Sequence, residues 1–89
     1  MIFAADVENT AIHFGFYKNH ALICSGMLSV GSPPKCADEY AIMLTLFCDQ
    51  QKILIAEITG AILASVVPQI TESFISAVRA VFSCTPLIV

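Results

Sequence analysis

Five residues near the start, "DVENT" from Asp6 to Thr10, combine the side chains that phosphate and cation chemistry calls for. A strand that delivers Asp6 to a tight turn presents one carboxylate beside a row of backbone N–H groups. Amides in such a turn hold phosphate, while the carboxylate holds a divalent or monovalent cation that offsets the phosphate charge. Asn9 and Thr10 add side-chain donors. The same residue types also build ordinary turns, because Asp, Asn and Thr bond their own backbone. Taken alone, composition favours the plain hairpin.

Other candidates carry less chemistry. His13 falls on an alternating run and His20 in a turn, and neither has the neighbours of a triad or a metal site. Cys24, Cys36, Cys48 and Cys84 form no CxxC pair and no Cys/His cluster at zinc spacing. They are expected as small buried hydrophobes rather than metal or redox ligands. Asp38 and Glu39 suit the first turn of a helix, where the dipole favours acids. Ser65 precedes "VVP", which is no nucleophile elbow, and is expected to be a strand-end hydroxyl bonded to backbone.

The elements that position these residues follow from periodicity. Ile2 to Ala5 is a continuous apolar run, which suits a strand buried on both faces. Ile12, Phe14 and Phe16 alternate with Ala11, His13, Gly15 and Tyr17, and "KNH" then signals a turn. Ala21 to Val30 reads as a third strand, so the first three form an antiparallel meander. "GSPPK" ends it, because two prolines and a glycine cannot continue a central strand. Tyr40, Met43, Leu44 and Phe47 recur at helical spacing, and that helix should end near "CDQQK". Gly60 to Val67 reads as a strand. Pro68 then starts a helix with Ile70, Phe74, Val78, Val81 and Phe82 on one face. Leu87 to Val89 begins a further strand, and the sequence stops in mid-element. The order β-β-β-α-β-α-β argues for an α/β domain, one mixed sheet with helices packed on it.

Composition excludes several function classes. The chain has 89 residues, 57% hydrophobic and 12% charged, with a net charge of −3. A domain of this size buries only about 60–65% of its unfolded surface, so the apolar excess points to surface covered by more chain or by a partner. Lys18, Lys35, Lys52 and Arg79 are dispersed and make no stripe that could follow a nucleic acid backbone. The most apolar window, Ile53 to Ile70, is interrupted by Glu57, Gly60 and Pro68 and lacks basic flanks, which disfavours a membrane span. Nor does a signal peptide fit the N-terminus, where Asp6 breaks the apolar run, so a cytoplasmic location is expected.

Over its whole length the sequence resembles a known family. "IFAADVENTAIHFGFYKNHAL" is similar to the opening of type III pantothenate kinases, which begin with a strand, a D-x-G-N-T loop and a hairpin ending in F-G. "CADEYAIML" resembles that family's T-A-D-E-Y segment. "GAILASVVPQITESFISAVRAVFSCTPLIV" resembles its S-S-V-V-P block, the helix after it and a P-L-V-V strand. The resemblance implies that residues 1–89 are a single, incomplete N-terminal half-domain of an actin-like, ribonuclease-H-like ATPase fold. It implies phosphoryl transfer from ATP to pantothenate, the first step of coenzyme A biosynthesis, with Mg2+ and a monovalent cation (K+ or NH4+). A homodimer is the family's usual state.

Carried over residue by residue, ATP phosphate contacts fall on Asp6, Val7, Glu8, Asn9, Thr10, Ala11, Ile12 and His13, with Asp6 also near the metal. Glu8 departs from the family's glycine and puts a negative charge beside an anion. The family's pantothenate loop, its G-x-D-R segment with the catalytic base and its second D-x-G-T loop have no counterpart here. No catalytic residue is therefore assigned, and the fragment is expected to be inactive alone. The alternative is a non-catalytic regulatory or interaction protein on the same scaffold, similar to the Bvg accessory factor.

Overall fold

Alternation of Phe3, Ala5 and Val7 with Ile2, Ala4 and Asp6 makes a half-buried first strand, β1 (Ile2–Val7). It runs two residues past its apolar run, because Val7 is fully buried and Asp6 pairs with His13. Asp6 therefore belongs to the strand, and the turn begins at Glu8. The computed structural model describes all 89 residues. After β1 come β2 (Ala11–Lys18), β3 (Ala21–Ser29), α1 (Ala37–Gln50), β4 (Gly60–Ser65), α2 (Pro68–Phe82) and β5 (Leu87–Ile88). A single 3-10 turn, Ile55–Glu57, precedes β4 and has no periodic signature to announce it. The expected α/β order and mixed sheet are present.

The sheet runs β3-β2-β1-β4-β5. β1 and β2 are antiparallel, as are β2 and β3, whereas β4 lies parallel to β1 and β5 parallel to β4. Asn19 (φ 52°) and His20 (φ 68°) join β2 to β3, two consecutive left-handed residues as a two-residue hairpin turn requires. The N-terminal ammonium donates to the Glu57 carbonyl at 2.9 Å, and Thr59 N–H donates to the Met1 carbonyl at 2.9 Å. These bonds set β4 beside β1.

The continuous run Ile2–Ala5 suits burial on both faces, but both helices pack on one side only. Phe3 and Phe16 are sealed beneath them, with Phe47 of α1 and Phe82 of α2 within ring contact of Phe16. Ile2, Tyr17, Leu22 and Ile62 remain part-exposed on the other face. The apolar excess of the composition thus lies largely on this open face and on the outer surface of α1, where Ile42 and Leu46 are exposed. No helix is long and apolar enough to cross a membrane. The Ile53–Ile70 window is instead divided among the 3-10 turn, β4 and the start of α2.

The "ADEY" segment has a structural task. Glu39 accepts the Cys36 N–H at 3.0 Å and so caps α1. That hydrogen bond holds the Glu39 carboxyl below its ordinary range. A lowered value means the cap supports the helix above the ordinary carboxylate range and is lost as pH falls through the lowered value. Tyr40 is fully buried, and its hydroxyl donates to the Val30 carbonyl. Of the four thiols, Cys48 is buried, and desolvation with a smaller effect of Cys24 pushes it up to about 11. Cys24 and Cys84 are half-buried. Cys36 departs from expectation: it lies exposed at the start of α1, because an N-cap position faces solvent.

Gly26 shows how tightly α1 lies on the sheet. A Cβ there would come within 2.6 Å of Phe47 Cε2 and 2.7 Å of Phe14 Cζ. Those two rings meet edge to face at 4.9 Å, so the missing side chain makes room for an aromatic pair. Gly26→Ala should destabilise the fold by about 1–3 kcal/mol through overpacking, read as a lower denaturation midpoint with an unchanged slope.

Candidate functional site

Parallel pairing places the carboxyl ends of β1, β4 and β5 on one edge of the sheet, the edge at which open α/β sheets hold ligands. The Asp6–Thr10 segment lies there. Val7 stands opposite Ser65, and Asp6 opposite Ala64. The loop is tight: Glu8 N–H donates to the Ala11 carbonyl at 2.9 Å, and Val30 N–H donates to the Thr10 carbonyl at 2.9 Å. Asn9 and Thr10 donate no backbone hydrogen bond within the chain, and their side chains have no intramolecular partner. An ordinary Asx turn would use the Asn9 side chain on its own backbone. This loop leaves two consecutive N–H groups and two polar side chains facing solvent.

The eight residues of the expected phosphate stretch divide by burial. Val7 and Ile12 are wholly buried, so only their backbone is available to a ligand. Asp6, Glu8, Asn9, Thr10 and His13 are exposed, and Ala11 is half-buried. Asp6 and His13 share the open face and line one shallow hollow of about 270 Å³ with Ala4, Gly15, Tyr17 and Leu22.

Glu8 is the residue whose identity puts the loop in question. Its carboxylate lies beside an imidazole. Oε1 lies 3.7 Å from His13 Nε2, with both side chains half-exposed. Its backbone is not strained. The non-glycine residues with positive φ are Asn19, His20, Lys52 and Ser83, and Glu8 is not among them. The turn thus forms here without the left-handed conformation that glycine makes cheap.

Asp6 can serve a cation in one way. No group of three or more His, Cys, Asp or Glu side chains could enclose a metal ion. Mg2+, however, commonly takes only one or two carboxylates, with phosphate oxygens and water completing its shell. A single exposed carboxylate beside free N–H groups fits that role.

Two features at this edge escape a sequence reading. Lys35 Nζ donates to the Ser29 carbonyl at 2.6 Å, which brings a cation to the strand end paired with Ala11. In the sequence it was one residue of a Pro-rich break, and no spacing rule ties it to the loop. The Ser65 hydroxyl accepts the Val67 N–H at 3.1 Å, as a strand-end hydroxyl should, and it also contacts Thr71 Oγ1. A pair six residues apart across a strand–helix turn follows no helical or strand periodicity.

Comparison with known proteins agrees with this architecture. The sequence model of the type III pantothenate kinase family matches residues 2–89. A type III pantothenate kinase of Moorella thermoacetica (strain ATCC 39073 / JCM 9320) is 34% identical over 89 residues, which are 100% of this chain and 35% of that protein. The chain spans about a third of the length of the curated relative it matches.

If the loop tip is free for a ligand rather than needed for folding, stability and exposure should separate there. Asn9→Ala should change unfolding free energy by no more than about 0.5 kcal/mol. Ile12→Ala, three residues on, should cost about 2–5 kcal/mol. Chemical denaturation of both variants checks the contrast.

Proposed function

The chain belongs to the type III pantothenate kinase family, and on that premise we propose that it is the N-terminal, ATP-phosphate-binding half-domain of a pantothenate kinase. The observation that carries this reading is the loop after β1, whose Asn9 and Thr10 amides and side chains are unused by the fold and lie beside Asp6. In the complete enzyme this edge would form one wall of the ATP cleft. Asp6, Glu8, Asn9, Thr10 and His13 would line it with side chains, and Val7, Ala11 and Ile12 with backbone.

Phosphoryl transfer depends on positioning and charge neutralisation more than on covalent chemistry from the protein. The contribution of these residues is therefore to hold the phosphates in place. Asn9 and Thr10 donate to phosphate oxygens, while Val7 and Ile12, locked in the core, keep the loop from yielding. Asp6 would hold Mg2+, which when bound offsets phosphate charge; a monovalent cation, K+ or NH4+, belongs to the same proposal. The hydroxyl of pantothenate would be activated by a base on the opposing half, since no residue of this chain matches the family's base. We place the protein in the cytoplasm, acting in coenzyme A biosynthesis as a homodimer.

Isothermal titration of Mg·ATP into the native chain and into Glu8→Gly tests this. The Glu8 carboxylate is half-exposed beside His13, so water screens its charge and glycine should tighten binding no more than about fivefold. Binding by the glycine variant alone would mean that the native loop does not admit phosphate, and a non-catalytic role on the same scaffold would replace the proposal. Neither chain should phosphorylate pantothenate. Turnover by the native 89 residues would overturn the assignment of the base to the missing half.

A further inference from the structure

Helix α2 begins at a residue that cannot cap it. Val67 occupies the N-cap position, and its side chain offers no acceptor to the free amides of the first turn. Two hydroxyls, one from either side, instead hold the N–H and carbonyl of Val67 itself. Val67 N–H donates to Ser65 Oγ at 3.1 Å, and Thr71 Oγ1 donates to the Val67 carbonyl at 2.8 Å. The Ser65 hydroxyl then closes the ring on Thr71 Oγ1. Thr71 is buried, only 9% exposed, and Ser65 is half-buried. A closed ring of this kind is worth more to the geometry than its separate bonds, because each hydroxyl is oriented by the next.

The ring sits next to the loop of the proposed site. Between Ser65 and Val67 lies Val66, whose N–H donates to the Val7 carbonyl at 3.4 Å, the last rung between β4 and β1. Val7 joins Asp6 to Glu8. The Val66 side chain is 78% exposed and gives that rung no packing support. On its other side the loop is tied by the bonds from Glu8 to Ala11 and from Val30 to Thr10. On the β4 side the parallel pairing of Asp6 with Ala64 and Val7 with Ser65 ends in the rung that the ring steadies.

We propose that Ser65 and Thr71 are positioning residues for nucleotide: their hydroxyl ring fixes the β4–α2 turn, and through the Val66–Val7 rung it fixes the carboxyl end of β1 from which the phosphate loop springs. This rests on the reading of Asp6–Thr10 as a phosphate loop. Neither hydroxyl touches the phosphates; both act through the backbone.

Amide hydrogen exchange and Mg·ATP titration of the native chain, Thr71→Val and Thr71→Ser test it together. Thr71→Val keeps the shape but opens the ring. Exchange at Glu8 and Val66 should quicken, and the Kd for Mg·ATP should rise, each about three- to tenfold. Thr71→Ser should return both to within about twofold of native, because it restores the hydroxyl. Should Thr71→Val fail to fold, Ser65→Ala opens the ring from the other side and reads the same rung. Faster exchange confined to Val67–Thr71, with Glu8 and Val66 unchanged, would mean an ordinary helix cap and would overturn the proposal. If exchange at Glu8 responds but the native chain binds no Mg·ATP, the coupling stands and the phosphate-loop reading falls.

Discussion

β1 is the one strand with an antiparallel neighbour on one side and a parallel neighbour on the other, and the site depends on that double pairing. The antiparallel side folds the chain straight back through Glu8–Thr10 into β2. The parallel side brings the end of β4 to the same edge, so two turns distant in sequence lie together. What keeps β1 central is Phe3, fully buried, whose ring lies 4.9–6.2 Å from those of Phe14, Phe16, Phe74 and Phe82. One side chain thus joins two strands and α2. Aromatic packing of this density resists small shifts, and a loop anchored at both ends to it inherits the stiffness.

Much of this was legible in the sequence wherever the signal is local. Alternation at Ile12, Phe14 and Phe16 marks the buried face of β2, Asn19 the hairpin, Pro68 the start of α2, and helical spacing the inner face of each helix. What depends on partners far along the chain was not. β1 continues to Val7 because His13 lies across from Asp6, and no run of residues 2–7 shows that. The open face was equally hidden. Ile2 and Ala4 are as apolar as Phe3 and Ala5, and only the side on which both helices come to rest separates them. The family resemblance located the loop. It did not show where the Glu8 carboxylate goes, since its partner His13 is reached through the turn and not along the strand.

A phosphate loop needs unsatisfied donors, and a folded chain tends to leave few. Here the free amides of Asn9 and Thr10 are held on a rigid base, while the acid that replaces glycine is turned toward a neighbouring imidazole. That combination is what the proposed phosphate-binding role of Asp6–Thr10 rests on. The most direct measurement is the two-dimensional amide spectrum of the native chain during addition of Mg·ATP. Shifts that begin at Glu8, Asn9 and Thr10, spread to His13 and Val66, and leave the hairpin turn at Asn19 and His20 unmoved are the predicted result. Shifts centred on the open sheet face around Tyr17 and Ile62, or none at the loop, would contradict it.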